Sequence, residues 1–275
     1  MFNVTCELTE RQLTALVRRM VFTKGRLHCP RCRSFKIRKV PHEDRYHCPR
    51  CRRKFTLLSG TWLKNLKVPL TTLAILLQAW KKEYTIDQTQ ELTKLSVPTI
   101  RRYFCLFRKN IVKSVPFVPV GNVQVDEAYF GQFKKQANYY HGVRTYKVVE
   151  KVCVAGISCP VNGQLTAMVV RQDTGNTIRE FIRQTVPKDI LLYSDGSHIY
   201  TNLKWEYDHH PQTHDLGFHH AYYIESCWSW MKRKLFRQYH HFWRKNAELY
   251  VSELTWRFNT RNKPENALTY LQNSF

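Results

Sequence analysis

The apolar positions along the chain follow two different periods, and these divide its 275 residues into predicted helices and strands. A helical period predicts helices at 68–84, 85–95, 97–110, 176–186, 224–239 and 246–260. Alternation or short apolar runs predict strands at 35–40, 54–58, 122–133, 146–159, 164–172 and 189–196. Three consecutive strands, a helix and another strand indicate that the second half is an α/β layer fold with a mixed sheet.

Residues 85–110 have the outline of a helix-turn-helix. Ser96 can cap the second helix and Pro98 lies in its first turn, as is common at helix starts. We expect residues 97–110 to be the recognition helix. An ordinary helical hairpin with solvated charges is the alternative. The basic residues of this helix expected to contact DNA are Arg101, Arg102 and Arg108.

Four of the nine cysteines form two C-x-x-C pairs, Cys29 with Cys32 and Cys48 with Cys51. Each pair offers two thiolates from one tight turn, and two such turns complete a tetrahedral Zn²⁺ site. With the strands between and after the pairs, the pattern predicts a zinc ribbon holding one structural Zn²⁺. An odd cysteine number argues against a complete disulfide framework. We expect no function for the other five, which are Cys6, Cys105, Cys153, Cys159 and Cys227.

The net charge of +23 is concentrated in the first part of the chain. Residues 1–113 hold 25 Lys and Arg against 7 Asp and Glu, a net +18, and residues 114–275 hold 19 against 14, a net +5. A basic excess interleaved with aromatic residues indicates a nucleic-acid partner better than a solvated face or a membrane-surface patch. The ribbon residues expected to contact DNA phosphates are Arg31, Arg33, Lys36, Arg38, Arg50 and Arg52.

No apolar run approaches the roughly 20 residues that span a bilayer. The first 20 residues lack the basic start and apolar core of a signal peptide, so we expect an intracellular protein without a membrane partner. Residues 112–121 contain two prolines and no helical pattern. We therefore expect an N-terminal helix and zinc ribbon at 1–60, a helix-turn-helix region at 61–113, a linker at 114–121 and a second domain at 122–275.

Three carboxylates in the second half are candidates for catalysis. Asp126 and Glu127 are adjacent in a strand and point to opposite faces, so they cannot easily serve one site together. Asp195 lies at a strand's carboxyl end, where sites of α/β sheets gather, although Asp-Gly also favours a plain turn. Glu225 begins a helix, where the helix dipole favours an acid, and Lys232 shares its face. Carboxylates from separate elements are what a pair of Mg²⁺ ions requires.

The chain resembles bacterial insertion-sequence transposases that combine a zinc ribbon, a helix-turn-helix and an RNase H-like DDE domain (ISXO-like, with eukaryotic relatives in the Merlin elements). The matching stretches are the two CPRC pairs, VDEAYFG at 125–131, YSDGSHIY at 193–200 and IESCWSWMKR at 224–233. In this group the third acid opens IES and a basic residue follows seven positions later. The resemblance implies an RNase H-like mixed-sheet catalytic domain whose catalytic residues are Asp126, Asp195, Glu225 and Lys232.

The resemblance also implies the activity. The protein would bind the terminal inverted repeats of its element and catalyse Mg²⁺-dependent cleavage and strand transfer. Asp126 and Asp195 would share two Mg²⁺ (or Mn²⁺) ions, Glu225 would hold the second ion, and Lys232 would contact a phosphate. The implied partners are double-stranded DNA, from the element's ends and the target, and further copies of the chain as a homodimer or larger. The location would be the bacterial cytoplasm or nucleoid, or the nucleus of a eukaryote.

The chain departs from the group's pattern before the third acid. The group commonly has Asn-His-Ser in that region and an Asn three residues before the acid, where this chain has Asp208, His209 and His210, and then Tyr222. Two rival functions stay open: a DNA-binding regulator whose nuclease fold is inert, and a metal-dependent nuclease without strand transfer.

Overall fold

The structure, a computed structural model, describes residues 8–22, 26–111, 117–131, 135–140, 143–148, 151–171, 174–212, 222–239 and 244–262. Among these residues the chain separates into two compact units, one up to residue 110 and the other from residue 111 onward. No helix of the described part is long and apolar enough to cross a membrane.

The first unit opens with helix α1 (Glu10–Val21) and a small antiparallel sheet. Its strands, paired in chain order, are β1 (Arg38–Lys39), β2 (Tyr46–His47) and β3 (Lys54–Phe55). Phe55 is buried against Cys29 and Cys48, so this sheet packs on the cysteine pairs. The two strands predicted here are present, and β2 joins them.

Three helices complete the first unit: α2 (Leu70–Lys81), α3 (Ile86–Thr93) and α4 (Val97–Ile111). Thr85 caps α3 through a reciprocal pair of hydrogen bonds with Gln88, and Lys94 ends it in the left-handed conformation. Helix α4 begins directly after Ser96, whose hydroxyl bonds with that of Thr99. The two helices predicted at 85–95 and 97–110 are therefore present, at Ile86–Thr93 and Val97–Ile111.

Helix α1 is joined to α2 through one carboxylate. Glu10 accepts backbone hydrogen bonds from Leu70 at 2.8 Å and from Thr71 at 2.9 Å, one on each oxygen. The N-cap of α2 is Pro69, which makes no side-chain capping bond. Glu10 therefore satisfies two of the N–H groups that the start of a helix leaves unpaired.

The second unit contains seven strands and three α-helices within its described residues. The strands are β4 (Asn122–Phe130), β5 (Lys135–Tyr140), β6 (Val143–Val148), β7 (Val152–Cys159), β8 (Gln164–Val170), β9 (Leu191–Asp195) and β10 (His209–Gln212). The helices are α5 (Thr174–Thr185), α6 (Tyr222–Tyr239) and α7 (Ala247–Asn259), with 3₁₀ helices at His198–Trp205 and Arg244–Asn246.

The main sheet has the order β10-β9-β4-β7-β8. Strands β4, β7 and β8 pair antiparallel, whereas β9 runs parallel to β4 and β10 parallel to β9. Strands β5 and β6 form a separate two-stranded antiparallel sheet. An antiparallel trio extended by two parallel strands from its first member is the RNase H-like arrangement, so the predicted fold class is confirmed.

Each face of the main sheet carries its own apolar core. On one face Ala128 and Phe130 of β4 pack with α6 and α7, and on the other Val123 and Val125 pack with α5 and the His198–Trp205 helix. The alternation along β4 therefore assigns even-numbered residues to the α6 side and odd-numbered residues to the α5 side.

Some elements differ from the prediction. The single strand expected at 146–159 is two strands, β6 in the separate hairpin and β7 in the main sheet. The predicted linker is only partly described, at residues 117–121, where no helix or strand forms. Val118 donates its N–H to Gln164 at 3.0 Å and accepts a bond from Asn162 at 2.7 Å, which holds this part on the second unit.

Candidate active site

The four paired cysteines meet in one cluster. Their sulfur atoms all lie within 4.8 Å of one another, and Cys29 with Cys51, and Cys32 with Cys48, are 3.5 Å apart. A tetrahedral Zn²⁺ with Zn–S bonds of about 2.3 Å places its sulfurs about 3.8 Å apart, so the donor set and spacing fit zinc. This cluster is the only group of three or more such ligands found among the described residues.

The backbone of each cysteine pair folds in the same way. Cys29 donates its N–H to Ser34 and Cys48 donates to Arg53, so each pair is wrapped by the residues that follow it. Arg33 and Arg52, each four residues after the first cysteine of its pair, adopt the left-handed conformation with φ of 56° and 57°. The repeated CPRCR sequence therefore gives two equivalent turns that each present two sulfurs.

The thiols of the cluster affect one another's ionisation. Burial alone would raise the pKa of Cys29, but hydrogen bonds from the backbone of Cys32 and Arg31 and from neighbouring thiols lower it to about 7. A backbone hydrogen bond from Arg53 lowers the pKa of Cys51, but burial and thiol neighbours raise it to about 11. One thiolate of the cluster therefore forms readily, and a cation would favour ionisation of the others.

The basic residues predicted to contact DNA lie on the surface of the first unit. The exposed members are Arg31, Arg33, Lys36, Arg38, Arg50, Arg52, Arg101 and Arg102, and Arg108 is half-buried. Helix α4 buries Ile100, Tyr103 and Phe107, which turns Arg101 and Arg102 toward solvent.

In the second unit, Asp126 and Glu127 point to opposite faces of β4. Asp126 lies on the α6 side, where its Oδ2 accepts a hydrogen bond of 2.9 Å from the indole N–H of Trp228. Glu127 lies on the α5 side, where its carboxylate accepts a hydrogen bond from the hydroxyl of Tyr200. Burial, together with the charge of Glu127, raises the pKa of Tyr200, which keeps the phenol protonated as the donor.

Asp195 ends β9, the parallel neighbour of β4. Its Oδ1 accepts the backbone N–H of Ser197 at 3.1 Å, at the start of the 3₁₀ helix. The two strands pair up to Gln124 and Tyr193, and two further residues on each strand reach Asp126 and Asp195 on the same face. The two half-buried carboxylates therefore lie side by side at this edge of the sheet.

Their proximity is reflected in the ionisation of Asp126. Burial, together with the charges of Glu127 and Asp195, raises the pKa of Asp126 to about 6. The hydrogen bond from Trp228 opposes this shift. Asp126 is therefore a carboxylate whose negative charge is costly in this site, and an added cation would offset that cost.

Helix α6 is held on β4 by two hydrogen bonds, whose partners are two residues apart on the strand and four residues apart on the helix. Gln124, which is buried, accepts the backbone N–H of Ile224 at 3.0 Å, and two residues later Asp126 accepts from Trp228. The indole of Trp228 packs against β7 at Gly156, the residue paired with Asp126. A Cβ at Gly156 would lie 2.4 Å from the indole, so glycine is needed for this packing.

The packing of α6 on β4 determines where Glu225 and Lys232 lie. Glu225 is one turn before Trp228 and Lys232 is one turn after it, and both are exposed at the edge of the buried face. The ammonium of Lys232 lies 5.8 Å from the ring centre of Phe130, a cation–π contact with β4. The structure thus brings Asp126 and Asp195 together and places Glu225 and Lys232 on the helix that packs over them.

Several residues that support this arrangement are not among those predicted from the sequence: Gln124, Gly156, Ser197, Tyr200 and Trp228. The glycine inside an apolar strand was a usable signal, because glycine there often marks a close approach of another group. The others require the register between elements, which a single sequence does not give.

Comparison with known proteins agrees with this architecture. The ISXO2-like transposase domain family matches residues 120–259, which cover the main sheet and helices α5 to α7. No protein of curated function matches the sequence.

Among solved structures, the catalytic core domain of HTLV-2 integrase in complex with magnesium is similar, with 12% identity and a TM-score of 0.34 over 55% of this chain and 95% of that one. The catalytic core domain of BIV integrase is similar at 13% identity and a TM-score of 0.31, over 52% of this chain and 84% of that one. The family match spans slightly more than half of the residues and includes all three predicted acids, and the chain therefore belongs to the ISXO2-like transposase domain family.

Proposed function

We propose that this protein is a DNA transposase that binds the terminal inverted repeats of its element, cuts the DNA in the presence of Mg²⁺ and joins the cut end to a target. Family membership carries the general activity, DNA transposition. The observation that carries the proposed mechanism is the pair of half-buried aspartates, Asp126 and Asp195. Each has one oxygen held by an N–H donor, from Trp228 and Ser197 respectively.

The chemistry of this donor set fits Mg²⁺ or Mn²⁺. Both ions prefer carboxylate oxygen ligands, and two ions held by shared carboxylates can activate an attacking oxygen and stabilise a leaving one. In this assignment Asp126 and Asp195 would share the two ions, and Glu225 would hold the second ion. The raised pKa of Asp126 supports this assignment, because a cation beside it would relieve the cost of its charge.

The chain's own residues would orient the DNA. Lys232 offers three N–H donors and no acceptor, so it would bind a phosphate oxygen next to the scissile bond. Its ammonium lies against Phe130, on the same strand and the same face of the sheet as Asp126. Glu225, one turn before Trp228, would approach the same edge from the helix.

The reaction would proceed as two phosphodiester displacements. Water attacks the phosphate at the element's end. The cut strand then has a 3′-hydroxyl on one side of the cut and a 5′-phosphate on the other side. The 3′-hydroxyl then attacks a target phosphodiester, and the target's 3′-oxygen leaves as the new ester forms. Each step exchanges one P–O bond for another, so no covalent protein intermediate is required.

The first unit would provide DNA binding. Its exposed arginines and lysines would neutralise phosphates, and Arg101 and Arg102 at the start of α4 would reach base edges of the repeats. Because an element has two ends, we propose a homodimer or larger assembly on DNA. The protein would act wherever its element lies, in the bacterial cytoplasm or nucleoid or in a eukaryotic nucleus.

The test is a strand-cleavage and joining assay with purified full-length protein, a labelled duplex carrying the element's own end, a target duplex and Mg²⁺. We expect cleaved and joined products. Cleaved product without joined product indicates a nuclease, and binding without cleavage indicates an inert DNA-binding regulator. Either result would overturn the proposal.

Four variants test the assignments within the same assay. Asp126→Asn and Asp195→Asn should abolish cleavage and leave binding of the repeat intact, because Asn keeps the shape but removes the anionic oxygen. Lys232→Ala should weaken cleavage without removing the metal ions. Arg101→Gln should reduce discrimination between the repeat and unrelated DNA. Full cleavage by Asp126→Asn would remove this strand from the active site.

A further inference from the structure

Glu127 has no place in the proposed catalytic set, yet its carboxylate makes a specific contact. It lies on the α5 side of β4, where it accepts the hydrogen bond from Tyr200. Tyr200 is fully buried in that core, so its ring has little freedom to move. The contact therefore joins β4 to the 3₁₀ helix His198–Trp205 at a fixed point.

That helix begins three residues after Asp195, and the two residues between them form a compact turn. Asp195 accepts the N–H of Ser197 at 3.1 Å, and the carbonyl of Ser197 accepts the N–H of Tyr200, also at 3.1 Å. Arg179 of α5 donates to the carbonyl of Ile199 at 3.0 Å. Residues 195–200 are thus tied together by these bonds, and Tyr200 is their attachment to β4.

The backbone ladder does not supply this attachment. Pairing between β4 and β9 ends at Gln124 and Tyr193, two residues before either aspartate. Beyond this point Asp195 is paired with Gln212 of β10, and the described ladder does not join it to β4. The bond between Glu127 and Tyr200 joins β4 to the segment that follows Asp195.

We propose that Glu127 is a positioning residue for Asp195: through Tyr200 it fixes the 195–200 turn against β4 and so sets the spacing between the carboxylates of Asp126 and Asp195. The two adjacent acids of β4 would then serve one site from opposite faces, Asp126 as a ligand and Glu127 through the turn. The inference rests on the proposed metal site.

The spacing matters because of the ion. Mg²⁺ demands near-octahedral geometry with oxygen distances of about 2.0–2.1 Å, so carboxylates that share an ion must be held accurately. Residues that orient metal ligands typically change metal affinity about 10–100-fold when they are replaced. Loss of the bond between Glu127 and Tyr200 should therefore clearly lower the affinity for the metal ion. Its effect on the stability of the fold should be small.

The experiment measures Mn²⁺ binding to the full-length, zinc-loaded chain without DNA, by the EPR signal of free Mn²⁺, and the Mg²⁺ dependence of cleavage. Tyr200→Phe and Glu127→Ala each remove one partner of the bond. We expect each to raise the Mn²⁺ dissociation constant and the half-maximal Mg²⁺ concentration about 10-fold. High Mg²⁺ should restore most of the cleavage rate.

Three controls separate positioning from general damage. Glu127→Gln keeps an acceptor oxygen and should bind Mn²⁺ nearly as the wild type does. The double variant Glu127→Ala with Tyr200→Phe should be no weaker than either single variant, because both remove one interaction. Ile182→Val removes a methyl group from the same core and should leave Mn²⁺ affinity unchanged.

Unchanged Mn²⁺ affinity in both Tyr200→Phe and Glu127→Ala overturns the inference and leaves the proposed function intact. An equal loss of affinity in Ile182→Val also overturns it, since the effect would then follow core stability. A different pair of results would overturn the proposed function itself. These are an Asp195→Asn variant that binds Mn²⁺ as tightly as the wild type does, and a wild-type protein that does not cleave DNA.

Discussion

Trp228 donates its indole N–H to Oδ2 of Asp126 at 2.9 Å. The bond joins the helix that carries Glu225 and Lys232 to the strand that carries Asp126, and Gly156 provides the space for the indole. One aromatic side chain therefore both seats α6 on the sheet and orients a carboxylate. The effect of Trp228 on the pH dependence of cleavage and its effect on the packing of α6 can be measured separately.

Replacing Trp228 with Phe should move the pH dependence of cleavage. In the proposed mechanism Asp126 acts in its ionised form, so cleavage should be lost as pH falls through its pKa, which burial raises to about 6 in the metal-free protein. The hydrogen bond from Trp228 lowers that pKa, so Trp228→Phe should raise it and shift the acid limb to higher pH. A pH–rate profile at fixed Mg²⁺ measures the shift.

The control is Trp230→Phe, on the same helix, where the indole packs on Phe258 of α7. That variant should keep the wild-type profile. An acid limb that stays in place in Trp228→Phe would show that the hydrogen bond does not influence the ionisation that limits cleavage.

Asp126→Asn should stabilise the second unit while it abolishes cleavage. Burial raises the pKa of Asp126 above the ordinary 3.8, so the charged form is disfavoured in the folded state. The unfolded chain then ionises first as pH rises, and stability falls between about pH 4 and pH 6 and stays lower above that range. Urea unfolding without divalent cations should show a gain for Asp126→Asn at pH 7 that vanishes below pH 4. Equal stability of the two proteins at pH 7 would contradict the burial argument.

Gly156→Ala should disturb the seating of α6. The added Cβ would lie 2.4 Å from the Trp228 ring, so the indole or the helix must move, and overpacking of this kind costs about 1–3 kcal/mol. We expect a lower urea midpoint and slower cleavage. Trp228→Leu in the same chain should recover part of the stability by removing the clash.

Gly175→Ala is the matched control. This glycine lies in α5, and a Cβ there would meet only the guanidinium end of Arg179, at 3.3 Å. Ala is favoured over Gly in helices, so this variant should be as stable as the wild type or more stable. A loss of stability as large as that of Gly156→Ala would mean that the clash with Trp228 is not the cause.

The sequence predicted those parts of the molecule that depend on local spacing. The two CPRC pairs predict the cysteine cluster, because each turn is local and only the meeting of the pairs is long-range. Strand alternation predicts the opposite orientations of Asp126 and Glu127, which follow from backbone geometry alone. The RNase H-like fold came from the resemblance carried by the three acidic motifs.

The parts that were missed depend on contacts distant in sequence. The sequence predicts one strand at 146–159, where only the adjacent charges of Glu150 and Lys151 hint that β6 ends at Val148 and that β7 of the main sheet begins at Val152. Strand β10 contains two histidines and Pro211, a composition that does not indicate a strand but is tolerated at a sheet edge. The pairing of Trp228 with Asp126 requires the register of α6 on β4, which two hydrogen bonds establish only after folding.

Zinc should be present at one ion per chain. The four sulfurs are already grouped, so metal analysis of freshly purified, reduced protein should find Zn²⁺, and Cys48→Ser should lose it and destabilise the first unit. Cys105→Ser, on α4 and outside the cluster, is the control and should keep the metal. Wild-type protein without zinc would exclude a structural zinc site.

Glu10→Gln should loosen the contact between α1 and α2. The carboxylate accepts two backbone bonds at the start of α2, and replacing a helix cap typically costs about 1 kcal/mol. Partial burial would raise the pKa of Glu10, but the hydrogen bonds from Thr71 and Leu70 outweigh it and hold the pKa below its ordinary value. The stabilisation is therefore present above about pH 4.5 and lost as pH falls through the lower, folded pKa.

The measurement is the difference in unfolding midpoint between wild type and Glu10→Gln across this pH range, because zinc loss at low pH affects both proteins and cancels in the difference. Glu91→Gln is the control, since that exposed residue lies within α3 and not at a helix start. The wild type should be the more stable protein at pH 7, and the two should converge as pH falls below 4. A difference that persists unchanged to pH 3 would mean that Glu10 acts through packing and not through its charge.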